Sequence, residues 1–383
     1  LRDIHTGIQR VVRSILQELL RNPPAGYVVE AVYADAAGRL CYAHRFLASL
    51  SDKSPQELDD PPVVVKSGDI FFCPDLHLAY PFRTLAVLRQ RGLRVIFTIH
   101  DIIALSNPKL FPKAYNIGFS DWFTGVMTVA DTIVCVSRAV ADEVQDWLRE
   151  HPGQRDRPLP IGYFHLGADI EASKPTLGVE DEGKEVLAAC AARPSLLMVG
   201  TLEPRKGHAQ ALAAMELLWK EGLQINLVIV GKEGWRTQDL ARTLRRHPQR
   251  NRRLFWLENA SDTLLMRLYA QSTALLAASY AEGFGLPLIE AAHHGLPIIA
   301  RDIPIFREVA GEFAYYFPNG DEATLARAIR QWLQLRDDGK APSSRNMPHL
   351  TWAQSTQQLL RVILEDDWYA TYYPETGAEN ARA

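Results

Sequence analysis

The chain is 383 residues long, with a formal net charge of -3, 47% hydrophobic residues and 23% charged ones. That length exceeds a typical single core and predicts two domains of ordinary size in a globular protein. The near-neutral balance gives no electrostatic reason to expect a nucleic-acid partner. The four cysteines, with no C-x-x-C pair among them, speak for reduced thiols in a cytoplasmic protein and against a zinc site or a disulfide framework.

No apolar run approaches the ~20 residues that span a bilayer, so membrane contact is expected only at the periphery. The opening "LRDIHTGIQR" carries neither a methionine nor a signal-peptide pattern, as expected of a chain trimmed or excised from a longer polypeptide.

From Ile8 the apolar positions Val11, Val12, Ile15, Leu16, Leu19 and Leu20 recur at helical spacing and predict an amphipathic helix packed on a sheet. Strands follow in "YVVEAVYA", "DIFFCP", "RVIFTIHD" and "DTIVCVS", each rich in β-branched or aromatic residues and read as buried. "AYPFRTLAVLRQRG" and "SRAVADEVQDWLRE" read as helices between them. Such alternation implies a parallel sheet covered on both faces. Residues 171–193, polar and acidic, read as a linker.

A second series begins with "PSLLMVG" and "INLVIVG", strands that each end in glycine, and continues with "RRLFWLEN", "TALLAAS" and "LPIIA". The helix "HAQALAAMELLWKEG" closes on a glycine. The expected fold class is therefore α/β, with two doubly wound Rossmann-like domains in tandem. Ligands of such sheets bind beyond the carboxyl ends of the strands, which predicts a site in a cleft between the domains.

Three stretches carry chemistry. In "EGFGLPLIE", residues 282–290, the loop after a strand leads into a helix whose first turn holds Pro287. The amides of Phe284, Gly285 and Leu286 would offer N–H groups at the positive end of the helix dipole, and Gly283 and Gly285 would admit a ligand close to the backbone. That describes an anion site. Glu290, one turn inside, suits the two hydroxyls of a ribose, and Glu282, before the turn, suits a further hydroxylated group. Diphosphate, ribose and that group together make a nucleotide sugar. A capping glutamate and a surface carboxylate would give the same letters.

"VGTLEPRKGH", residues 199–208, places Arg205 and Lys206 at another strand end, where two cations would neutralise a leaving diphosphate. A solvated helix start would read alike. "FTIHDIIAL", residues 97–105, ends a buried strand with His100 and Asp101, either functional or simply satisfied in the core.

With the "TGIQRVVR" stretch near the start, these three motifs in this order resemble retaining glycosyltransferases of family 4, similar to members that add mannose or related sugars to bacterial polysaccharides. The resemblance spans nearly the whole chain. It implies the GT-B fold, with residues 1–175 as the acceptor-side domain and 190–345 as the nucleotide-sugar domain. Residues 346–383 would be a helix and tail crossing back to the first. It also implies a nucleotide-sugar donor, with GDP favoured, a glycan or lipid-linked glycan acceptor, no cofactor and no metal. No D-x-D occurs in the chain.

Arg205, Lys206 and the 284–286 amides would stabilise the departing diphosphate, Glu282 and His100 would position the sugar, and Glu290 would hold the ribose. Gly7 matches the family's glycine loop, and Asn259 and Ala260 match the loop that reads the base. Thr201 stands where many members carry arginine, which puts the phosphate charge on Arg205 and Lys206 alone. The strand that precedes the glycine loop in the family is missing from this chain.

Trp235 is expected either to line the nucleotide pocket or to cover a helix. The run "RTLRRHPQRNRR", residues 242–253, is a solvated helix end or a contact with anionic lipid at the inner face of the membrane. Rival readings are a glycoside hydrolase using Glu282 and Glu290, a nucleotide-sugar epimerase of the same fold, and a non-catalytic nucleotide-sugar-binding subunit.

Overall fold

The computed structural model describes residues 7–50, 58–169 and 180–374. The chain divides into two compact units, one of residues 1–105, 114–165 and 352–383, the other of 106–113 and 166–351.

The first unit opens with the helix Gly7–Arg21, which buries Val11 and Ile15 and packs against the helix Trp352–Leu364. A hairpin follows, β1 (Val32–Ala34) antiparallel to β2 (Leu40–Tyr42). This corrects the reading of Tyr27–Ala34 as a buried strand, since Tyr27, Val28 and Tyr33 are 47%, 85% and 44% exposed. The cause is the turn between the strands. Asp35 Oδ1 accepts from the amides of Ala37 and Arg39, each at 2.9 Å, and folds the segment back on itself before it can join a larger sheet.

The sheet proper is parallel through β3 (Ile70–Cys73), β4 (Arg94–Ile99), β5 (Thr132–Cys135) and β6 (Leu159–Tyr163). Strands buried on both faces need unbroken apolar runs. In β4 every residue from Val95 to Ile99 is buried, Thr98 included. The helix Arg138–Glu150 between β5 and β6 is capped by Ser137, whose Oγ accepts from the amide of Val140, and it buries Val140, Val144 and Leu148 along one stripe.

The second unit holds β7 (Ser195–Val199), β8 (Asn226–Val230), β9 (Leu254–Leu257), β10 (Ala274–Ala277), β11 (Ile298–Arg301) and β12 (Ala314–Phe317). All six are parallel, in the order β12-β11-β10-β7-β8-β9. The chain leaves β9 and crosses to the far side of β7, so β7 and β10 adjoin at the switch of direction, the place where open α/β sheets bind ligands. The helix Glu180–Ala192 covers residues read as linker. Within an acidic stretch it buries Val186, Leu187 and Cys190 at helical spacing and packs against the helix Asp262–Gln271.

One further departure concerns chain path. Ser106–Lys113 interrupt the first unit in sequence yet pack with the second. There the ring of Phe111 stacks on Trp235 at 5.6 Å, and Arg236 Nη1 donates to the carbonyls of Lys109 and Phe111. Trp235 Nε1 donates to the Leu110 carbonyl at 3.2 Å, so this indole covers the short 3-10 helix Pro108–Leu110. From Trp352 the chain belongs to the first unit again, where β13 (Ala370–Tyr372) pairs antiparallel with β6 and completes a five-stranded sheet. Among the described residues, no helix is long and apolar enough to cross a membrane.

Candidate functional site

A buried polar cluster of the second unit lies beyond the carboxyl ends of β7 and β10. After β7 the chain makes a 3-10 turn, Pro204–Lys206, and starts the helix His208–Lys220 through Gly207. Gly207 has φ 73°, and a Cβ there would meet the Ala278 carbonyl oxygen at 2.3 Å. Only a bare backbone in the left-handed region fits. That close approach brings the Arg205–Lys206 turn against the loop after β10, and the Tyr280 amide donates to the Arg205 carbonyl at 2.7 Å.

The side chains meet accordingly. Glu282 Oε2 accepts from Arg205 Nη1 at 2.7 Å, and Oε1 accepts from Lys206 Nζ at 2.5 Å and Ser279 Oγ at 2.7 Å. Arg205 Nε also donates to Glu203 at 2.7 Å, so this guanidinium bridges two carboxylates. Burial pushes the Glu282 carboxyl up, but Lys206 and Arg205 outweigh it and hold the group at about 2. Burial raises Glu203 above the usual carboxylate range against the pull of the same two cations.

His208, 2% exposed, is driven down to about 3 by burial and by the charge of Lys206, and its Nδ1 has no hydrogen-bond partner. With Lys206, Ser279, Glu282 and Gly285 it lines a cavity of 20 Å³, roughly the room one water needs.

Gly285, at φ 96°, caps the helix Leu286–His293, and a Cβ there would press on the Phe306 ring at 2.9 Å. Gly283, Phe284 and Gly285 are buried, and Leu286 is half-buried. Glu290 is 3% exposed and accepts from Tyr269 Oη at 2.6 Å, with the Tyr269 ring stacked on His294. So the two glutamates of the motif sit differently, one in an ion cluster and the other against a tyrosine.

The other predicted positions are spread out. Thr201 follows Gly200 after β7, and Asn259 and Ala260 form the turn after β9, just before the Ser261 cap of the next helix. Gly7 opens the first helix and His100 follows β4, both in the first unit. His100 is buried and its Nε2 donates to the Pro74 carbonyl at 2.8 Å, which leaves Nδ1 as the acceptor. Burial holds its pKa below the ordinary imidazole value, so the ring is neutral.

In the basic run, Arg245 pairs with Glu233 at 2.9 Å and Glu258 at 3.0 Å, and Arg242 with Asp239 at 2.9 Å, as at an ordinary solvated helix end. Among the described residues no group of three His, Cys, Asp or Glu could hold a metal ion.

Glu203, Ser279 and Arg301 were missed from sequence. Glu203 alone had a signal, as the acidic neighbour of "PRK" at a strand end. Ser279 is a common loop residue, and Arg301 ends a strand as though exposed to water.

Residues 5–155 match the family described as Glycosyltransferase Family 4, and residues 180–347 match Glycosyl transferases group 1. The chain is 45% identical over 368 residues to a serotype-specific mannosyltransferase WbdA of Escherichia coli, covering 94% of this chain and 45% of that protein. It is 29% identical to O-antigen chain mannosyltransferase B of Escherichia coli, over 72% of this chain and 71% of the other. The chain thus spans about half the length of the WbdA relatives it matches. Among solved structures, Anabaena Alr3699/HepE in complex with UDP and glucose superposes with a TM-score of 0.57 at 18% identity, over 77% of each chain. That likeness is one of fold, and the fold is GT-B.

Proposed function

The chain belongs to the glycosyltransferases in which a family 4 domain precedes a group 1 domain, and from that membership we propose that it transfers a hexose with retention of configuration. Mannose is the favoured sugar and GDP the favoured carrier, and the acceptor is a glycan or a lipid-linked glycan. The resemblance to mannosyltransferases supports the sugar. The observation that carries the reaction is the cluster of Arg205, Lys206 and Glu282 at the adjoining ends of β7 and β10.

The residues divide the work as follows. Arg205 and Lys206 face the diphosphate as it leaves, and their tie to Glu282 holds them in place beforehand, which is what electrostatic stabilisation of a developing anion requires. The 283–286 backbone adds N–H groups at a helix start. Glu282 and the neutral His100 orient the sugar, Glu290 orients the ribose, and Gly7, Thr201, Asn259 and Ala260 complete the donor contacts. No metal takes part. The enzyme acts in the cytoplasm, at the periphery of the membrane.

The test is to incubate the purified chain with GDP-mannose, UDP-glucose or dTDP-sugars and a mannose-terminated acceptor. Release of nucleoside diphosphate together with an α-linked product is expected. Hydrolysis of a nitrophenyl glycoside without nucleotide, epimerised donor, or tight donor binding with no transfer would each replace this reading with one of its rivals.

A further inference from the structure

Arg301, the last residue of β11, is wholly buried, and its guanidinium makes four hydrogen bonds. Nε and Nη2 donate to the Ala278 carbonyl at 3.2 and 2.9 Å, Nη1 donates to Asn319 Oδ1 at 3.1 Å, and Nη2 also donates to Gln210 Oε1. The Tyr280 ring lies over it at 4.0 Å, and the Phe317 ring at 5.1 Å. Tyr280 Oη donates to the same Gln210 oxygen at 3.1 Å, and Gln210 Nε2 donates to the carbonyls of Gly320 and Asp321 at 2.7 and 2.9 Å.

One side chain therefore ties together the connections that follow β7, β10, β11 and β12. No carboxylate among the described residues pairs with it. A buried cation with no counter-charge is costly, and a neutral amide could satisfy one or two of these acceptors. What an amide lacks is the planar five-donor fork that reaches all of them at once.

The loop so held is the one that supplies the ion cluster. Ala278 is fixed by the guanidinium and Tyr280 by stacking on it. Between them Ser279 Oγ donates to Glu282, and the Tyr280 amide donates to the Arg205 carbonyl. We propose that Arg301 is a positioning residue for sugar transfer, which holds Ala278–Tyr280 where Glu282 meets Arg205 and Lys206. This rests on the function proposed above. Arg301 touches neither donor nor acceptor. It acts through a loop whose misplacement by a fraction of an ångström is enough to slow chemistry.

The test compares wild type with Arg301→Gln and Arg301→Lys by amide hydrogen exchange and by steady-state kinetics. Binding-competent sites are counted by titration with GDP. In Arg301→Gln, exchange of the 278–285 segment should rise while that of β8 stays as in wild type. The kcat per competent site should fall about tenfold or more with KM for the donor changed far less. Arg301→Lys, which keeps a donor to Ala278 but loses the fork, should fall between.

Should Arg301→Gln fail to fold, Gln210→Met removes one anchor of the network and is expected to shift both readouts in the same direction. Unchanged kcat per site in the variant that folds overturns the proposal, whatever its melting temperature, because Arg301 is then only a brace. If wild type transfers no sugar from any donor, the proposed function falls by itself, and the exchange of residues 278–285 still decides whether Arg301 holds the loop.

Discussion

Lys206 Nζ stands 2.5 Å from Glu282 Oε1, two side chains 76 positions apart in the chain brought together by the contact of Gly207 with Ala278. An ammonium and a carboxylate this deeply placed are each largely desolvated, and each offsets part of that cost for the other. The pair is set in advance of any ligand, so little reorganisation would remain for the diphosphate departure proposed above.

Removing Lys206 should show this directly. Lys206→Ala is expected to lower kcat/KM by about 2–4 kcal/mol of transition-state stabilisation, comparable to the loss of an oxyanion donor. Arg205→Ala should cost as much in rate and more in stability, since Glu203 would lose its donor while Glu282 would keep Lys206 and Ser279. A buried acceptor left unpaired costs about 1–3 kcal/mol, so the melting temperature of Arg205→Ala should lie below that of Lys206→Ala. Equal melting temperatures would mean that Glu203 finds another donor.

The two motif glutamates should fail differently. Glu282→Gln keeps the shape but loses the charge that orders Arg205 and Lys206, and kcat should fall while affinity for free nucleoside diphosphate stays nearly intact. Glu290→Gln should weaken donor and free nucleotide alike. Because Glu290 also accepts from Tyr269 Oη, Tyr269→Phe is expected to weaken nucleotide binding in the same sense, to a smaller extent. Matching kinetic profiles for Glu282→Gln and Glu290→Gln would contradict the division of roles.

The strands were the legible part of the sequence. Runs such as "RVIFTI" and "NLVIV" can only be strands buried on both faces, and the structure has them so. Tyr27–Ala34 looks equally apolar, but the turn chemistry of Asp35 to Arg39 diverts it into a hairpin whose first strand is largely exposed. The helix Glu180–Ala192 was hidden because its acidic face dominates composition while its buried stripe is only a few residues wide. In the candidate site, Arg205, Lys206 and Glu282 sit in motifs with recognisable local logic. Arg301 has none, because its acceptors come from residues 210, 278 and 319, and only the folded sheet puts them side by side.

The buried His208 predicts how stability depends on pH. Its folded pKa of about 3 lies below the ordinary value of 6.5, so the unfolded chain takes up a proton that the native state refuses. The stability this linkage contributes is fully present above pH 6.5 and is lost as the pH falls toward 3. The slope is one proton, about 1.4 kcal/mol per pH unit. Glu282 adds to the loss in a lower window, from its ordinary value of 4.5 down to about 2. Denaturant unfolding of wild type and His208→Gln between pH 7 and pH 5 isolates the histidine. His100 is depressed by burial too, so the difference between the two proteins is the measure and not the total slope. Parallel slopes would show that His208 takes up its proton as readily in the native state as in the unfolded chain.

The last prediction concerns divalent ions. A metal that screens a diphosphate must be held by oxygen ligands, most often carboxylates presented together. The carboxylates nearest this site are already committed, Glu282 to Lys206, Arg205 and Ser279, and Glu203 to Arg205. A divalent ion brought beside Arg205 and Lys206 would be repelled by both, and drawing Glu282 away to bind it would release the two cations from the positions in which it holds them. Transfer is therefore expected to continue at close to the full rate after exhaustive treatment with EDTA, and added Mg²⁺ or Mn²⁺ should change kcat little. Loss of activity in EDTA with recovery on Mn²⁺ would move the diphosphate away from Arg205 and Lys206, to a place where carboxylates are free to share a metal.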